Sequence, residues 1–364
     1  MNETDLLDLA RQKLTDAISQ YQPPIHSPLQ VSPWIAMSAM QKAIRRGHEQ
    51  IALRAAATLL HVSPERLWRR CGCVAFEDVG VADLDTVGIV TSALSGKRYR
   101  ENLGGEWAVA SYIVSRMVHS PKCRAADDLL MAAELHPIFT DARSELAAMS
   151  TQQLLALMIG DEPLPVRALA CWFAIGTDQR PSSHLSYRRG DPQAVFDTLN
   201  EAGCLHTLVE TAREGFRRTR EVLAPFTVLL RPSRHSAHPM LADDEMPPAV
   251  LIDGVPGWAL DTYNREGRRA LKLFLQSDCA SARWINANVL AGQRVNLVGN
   301  IVFRVEGGLV RRRSRWPMSD ELRRLVDVSS HGPACADATE ILDLMRADIP
   351  VLNGVRLRLN GGSI

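Results

Sequence analysis

The chain has 364 residues, 46% of them hydrophobic, with 42 basic against 41 acidic side chains and a formal net charge of +1. That is more chain than one core ordinarily serves, so two domains are expected, and the composition gives no reason for disorder. A near-neutral chain is not steered to nucleic acid as a whole, so any DNA contact needs a local basic patch.

In chain order, Thr4 caps a predicted helix reaching about Tyr21, with Leu7, Leu14, Ile18 and Tyr21 as its apolar stripe. Pro23-Pro24 and Pro28 end it, and residues 22–32 read as a linker. Ser32-Pro33 opens the next helix and Gly47 closes it. Glu49 to Leu60, a helix opened by Ser63-Pro64 and running towards Glu77, one starting at Asp83, one over Glu106 to Val118 and one through Ala125 to Leu135 follow closely. None leaves room for a crossover sheet, so the spacing predicts a bundle of short antiparallel helices. Further helices are expected over Thr151 to Ile159, Val166 to Ile175, Asp191 to Ala202 and Leu205 to Leu223, with a polar loop from Thr177 to Gly190.

Near Pro225 the pattern changes. Phe226 to Leu230, Val250 to Ile252 and Val351 to Leu359 read as strands, Asn296 to Val305, broken by Gly299-Asn300, as a bent strand or a hairpin with Leu309 to Arg313, and Asp261 to Leu275 as an amphipathic helix. The expected architecture is mainly α: residues 1–33 an N-terminal helix and linker, 34–224 a helical bundle, and 225–364 a smaller α+β domain.

Lysine occurs only at Lys13, Lys42, Lys97, Lys122 and Lys272; arginine supplies the remaining cations. Coding bias explains that choice, as does arginine's fit to carboxylate and phosphate. The seven cysteines are odd in number and form no CxxC pair, which points to reduced thiols. The acidic N-terminus has no signal-peptide pattern and no apolar run is long enough to span a membrane, so a soluble cytoplasmic protein with no membrane contact is expected.

Three motifs follow in order: Ser38-Ala39-Met40-Gln41-Lys42-Ala43-Ile44-Arg45-Arg46-Gly47; then Arg69-Arg70 with Ala75-Phe76-Glu77-Asp78-Val79-Gly80-Val81-Ala82-Asp83; then Ser120-Pro121-Lys122. Together they resemble the C-terminal helical collar of the replication-associated recombination protein A family, AAA+ relatives of the clamp loaders. The resemblance covers about 100 residues, roughly Trp34 to His136. It implies a clamp-loader-collar-like fold that joins subunits, with a homo-oligomer, an AAA+ ATPase or another replication protein as partner. Tyr263-Asn264-Arg265-Glu266-Gly267 weakly resembles the tail of the same family. Arg46 is an extra residue, Phe76 replaces a small one, and Cys123 stands where the family has serine. The ATPase half is absent. No Walker A sequence occurs, since Gly96-Lys97 runs into Arg98 and Thr91 takes the place of the first glycine. No cofactor is expected.

Read as residues, Glu77 and Asp78 would hold the Arg69-Arg70 guanidiniums or cap a neighbouring helix; an acid/base pair is the functional alternative. Gly80, Pro121 and Lys122 complete this structural set. Lys42, Arg45 and Arg46 are candidates for contact with DNA or a partner, against a solvated helix end. The run Arg311-Arg312-Arg313-Ser314-Arg315-Trp316 has the make-up of a phosphate contact with a stacking aromatic, against a charged edge strand. As a strand it would set Arg311, Arg313 and Arg315 on one face. His235 and His238, near Asp243, Asp244 and Glu245, are the one metal-like cluster, in a proline-bounded loop. Three functions remain open: a non-catalytic accessory protein of DNA replication, recombination or repair; a metal-dependent enzyme with a C-terminal site; and a DNA-binding module using Arg311 to Trp316.

Overall fold

The computed structural model describes residues 6–230, 239–329 and 338–360. The described chain is mainly helical. In order come α1 (Leu6–Gln20), α2 (Pro33–Arg46), α3 (Glu49–Val62), α4 (Pro64–Val74), α5 (Leu84–Ala93), α6 (Lys97–Asn102), α7 (Glu106–His119) and α8 (Ala125–Leu135). Then follow α9 (Thr140–Ala148), α10 (Thr151–Ile159), α11 (Leu164–Ile175), α12 (Pro192–Glu201), α13 (His206–Thr219) and α14 (Leu223–Leu229). The C-terminal helices are α15 (Arg265–Phe274), α16 (Ala280–Asn288), α17 (Arg294–Val302), α18 (Pro317–Ser329) and α19 (Ala338–Asn360). Among the described residues the strands are β1 (Met240–Ala242), β2 (Leu251–Ile252), β3 (Val255–Pro256) and β4 (Arg313–Arg315). No helix of the described residues is long and apolar enough to cross a membrane.

The helix starts follow the capping chemistry. Ser32 accepts a hydrogen bond from Ile35 N, Asp83 from Thr86 N and Asp191 from Ala194 N, each satisfying an amide that the first turn leaves open. Gly47 closes α2 in the left-handed conformation, φ 75°, its amide turned back to the carbonyls of Ala43 and Ile44.

The chain divides into two compact units, each assembled from separate stretches of sequence. One takes its described residues from 1–23, 68–241 and 313–329; the other from 24–67, 242–312 and 330–364. In the first, α1 packs on α5 and α13, α11 lies against α8, α10 and α12, and α18 against α8. In the second, α2 and α3 form an antiparallel pair, while α15, α16 and α17 pack on α19. That helical group has its own core of Ala270, Leu271, Phe274, Ile285, Ile301 and Leu352, among others.

The C-terminal strand expectations are largely overturned. Phe226 to Leu229 lies in α14, with Leu230 as its C-cap, and burial on every side removes the polar alternation that separates strand from helix. Asn296 to Val305 is α17 running into a wide helical turn, Phe303–Gly307. Val351 to Leu359 is the second half of α19, which continues through Pro350. Ile341, Met345, Ile349, Leu352 and Val355 recur every three or four residues and all face the core, a helical period that outweighs the proline. Only Val250 to Ile252 holds as extended chain. There β2 pairs antiparallel with β3, Leu251 opposite Pro256 and Ile252 opposite Val255. Asp253 and Gly254, both at positive φ, make the two-residue turn between them.

Candidate functional site

Two clusters of charge are built inside the units, and each contains residues of the motifs. In the first unit the centre is Arg124, which precedes α8 and is only 3% exposed. Its guanidinium donates to Glu77 at 3.0 Å and also to Asp78 and Asp127. Burial works to lower the Arg124 pKa, but the charges of Asp127, Asp78, Glu77 and Asp128 outweigh it and raise it well above the usual arginine value. The carboxylates come from the wide turn Ala75–Val79 that ends α4 and from the first turn of α8, where negative charge is favourable.

The same place holds the third motif. Cys123 N donates to the Asp78 carbonyl at 2.8 Å. Gly80, at φ 51°, brings its α-carbon so near that a Cβ there would stand 2.9 Å from the Cys123 carbonyl oxygen. Lys122 is fully buried and donates to the carbonyls of Val118 and Ser120 at 2.8 and 2.5 Å. Asp83, after the second motif, accepts from Ser120 Oγ at 2.8 Å and from Thr86 Oγ at 2.6 Å. The second and third motifs are thus brought together, with Pro121 and Lys122 in the loop that closes on Asp78 and Gly80. Glu77 and Asp78, expected to hold Arg69-Arg70 or to cap a neighbouring helix, both bind Arg124. Arg69 is exposed and reaches Glu221 at 3.9 Å.

In the second unit the first motif is clasped from inside. Lys42 Nζ donates to Asp261 Oδ2 and to the Trp258 carbonyl, both at 2.6 Å. Ser38 Oγ donates to the same carboxylate oxygen at 2.9 Å. The other oxygen, Oδ1, accepts from Tyr263 N at 2.8 Å and Asn264 Nδ2 at 3.0 Å. Burial pulls the Lys42 pKa below the usual lysine value, although Asp261 opposes it. Arg45 donates to the Gly307 carbonyl and Arg46 to the Glu306 carbonyl, each at 2.7 Å. Their guanidiniums lie over the rings of Phe303 and Trp258. Arg356 grips the Glu306 carboxylate with both Nη atoms, at 3.1 and 2.9 Å. The expectation of a surface role for Lys42, Arg45 and Arg46 is therefore corrected: they are 4%, 1% and 2% exposed and serve as internal ties.

The basic run differs from its expectation too. Arg312 sits at φ 56° and breaks the extended chain, so the strand starts only at Arg313. Arg313 and Trp316 are buried. Arg311 pairs with Asp243 at 3.6 Å, and Arg315 with Asp320 through two bonds of 2.9 and 3.1 Å. No row of outward arginines results. The candidate ligands His235 and His238 lie outside the described residues. Among the described residues no group of three or more His, Cys, Asp or Glu is placed to hold a metal ion. A cleft of about 170 Å³ among α1, α5 and α13 has Lys13 and Asp85 paired at 2.5 Å on its wall. Cys71, Cys123 and Cys171 are buried and desolvation pushes each thiol up to about 12, away from nucleophilic use.

Sequence reading missed Arg124, Asp261, Glu306 and Arg356. Each lies outside the three motifs, and no local pattern ties it to its distant partner. Comparison of the chain with protein-family models, with curated proteins and with solved structures found no match.

Proposed function

We propose that the chain is a non-catalytic accessory protein of DNA replication, recombination or repair, self-associating or docking on an AAA+ ATPase through its collar-like helices. The observation that supports this reading is the use made of the motif residues. Ser38 and Lys42 clasp Asp261, Glu77 and Asp78 hold Arg124, and Lys122 ties off its own loop. Side chains committed to internal bonds shape a scaffold; none of them is left open to a substrate atom. Gly96-Lys97, the nearest approach to a phosphate loop, only opens the six-residue α6.

The test is the native mass of the purified full-length chain over a concentration series, alone and mixed with a clamp-loader-related ATPase. A discrete oligomer, or a complex with the ATPase, is the expected result. A monomer at every concentration that ignores the ATPase would overturn the reading.

A further inference from the structure

The exposed face of α15 carries Arg265, Arg268, Arg269 and Lys272. At about 100° per residue these positions fall within one face about 100° wide, and they follow one another over about 10 Å of helix axis. All four side chains are exposed. No hydrogen bond or ion pair to any of the four occurs among the described residues. Other exposed arginines are answered, Arg217 and Arg218 by Glu214, Arg315 by Asp320, Arg346 by Asp343, while Arg54, Arg98, Arg189 and Arg358 are exposed singly; among the described residues α15 alone gathers four such cations on one helix face. On α15 the sole carboxylate, Glu266, lies to the side of the stripe and is partly buried.

Helix electrostatics oppose this arrangement. Arg265 with Arg269, and Arg268 with Lys272, are like charges four residues apart, which destabilises a helix. Arg265, Arg268 and Arg269 also crowd the N-terminal half, the positive end of the helix dipole. The opposite face is fixed: Gly267, Ala270, Leu271 and Phe274 are buried, and Asn264 caps the helix by accepting from Gly267 N at 2.8 Å. The stripe is therefore a rigid row of unanswered positive charge, with exposed Tyr263 just before it.

We propose that this face of α15 is a contact surface for the phosphodiester backbone of duplex DNA. The ligand chemistry follows from the pattern. Cations about 5–6 Å apart along one line match a partner whose charge is itself linear and dense, and duplex DNA carries one negative charge per roughly 1.7 Å of axis. Three of the four are arginines, whose fork fits phosphate oxygens. A membrane fits poorly, since the apolar face that would insert is committed to the core and only Leu273 is part-exposed. The surface is read from charge and exposure; the choice of DNA over another polyanion rests on the replication reading above.

The experiment is fluorescence anisotropy of the full-length chain with a mixed-sequence duplex of about 30 base pairs, from roughly 50 to 200 mM salt. The comparison is the variant R265Q/R268Q/R269Q/K272Q. Removing four phosphate contacts should lower the slope of log affinity against log salt by about 3–4 and weaken binding more than about tenfold at low salt. Circular dichroism and Tm of the variant should be unchanged or improved, since repulsion is removed. No binding of the wild type to duplex at low salt, or an equal slope in the variant, overturns the proposal. Binding to anionic vesicles or polyglutamate in preference to duplex overturns the choice of DNA. A chain that stays monomeric and ignores the ATPase, with this DNA binding intact, would sink the scaffold reading and leave the surface standing.

Discussion

The ring of Phe76 lies directly against the backbone of Gly215. A Cβ built at Gly215 would stand 2.2 Å from Phe76 Cε2 and 2.3 Å from Cζ. Phe76 is fully buried on the wide turn after α4, and Gly215 is a buried position in the middle of α13. A glycine inside a helix ordinarily costs about 1 kcal/mol relative to alanine. Here the close approach of the ring accounts for it.

Gly215→Ala should therefore destabilise. The gain of about 1 kcal/mol in helix propensity is opposed by overpacking of about 1–3 kcal/mol, and the clash is with a ring enclosed on all sides. Phe76→Leu alone should also destabilise, by leaving a gap. The double variant should lose less than the sum of the two, because each change relieves the other. Urea midpoints of the four proteins give the answer, and strict additivity would mean that the ring moves aside at no cost.

Arg124 supports a second prediction. Asp78 is fully buried, so removing the cation that Glu77, Asp78 and Asp127 share should cost about 3–5 kcal/mol. Arg124→Met should lose most of the stability of the first unit. Arg124→Lys should fall between, because a point charge serves one carboxylate where the fork serves three. If Arg124→Met unfolds at the wild-type urea concentration, the cluster is not what holds the second and third motifs together.

The helical character and most helix starts were legible because they depend on neighbours in sequence: Ser32, Asp83 and Asp191 each cap the turn that follows them. The internal ties were not, because they depend on residues far apart in the chain. Lys42 meets Asp261 across 219 positions, and nothing near Lys42 distinguishes a buried lysine from one at a solvated helix end. The basic run misled in the same way: Asp243 and Asp320 lie outside the run they neutralise. The C-terminal helices were hidden by β-branched residues and by Gly299 and Pro350, which read as breaks although the core positions around them keep a helical period. The amphipathic α15 was visible from its pattern. That its charged face goes unanswered was not.

Asp83 gives the third prediction, in pH. Burial alone would raise its pKa, but hydrogen bonds from the side chain and backbone of Thr86 and from Ser120, with the charge of Arg116, outweigh it and hold the carboxyl below its usual value. A depressed pKa in the folded state means that the unfolded chain binds the proton first as the pH falls. The stabilisation is therefore complete above the unfolded value, about pH 4, and is lost as the pH drops through the folded one. Asp83→Asn keeps an oxygen for the Thr86 amide but has no charge to lose. Wild type should be the more stable of the two from neutral pH down to about pH 5, and the gap should close on further acidification. Urea midpoints of both proteins from about pH 7 to pH 2.5 would show it. A gap that stays constant across that range would mean that the Asp83 carboxylate contributes through its shape as a helix cap and not through its charge.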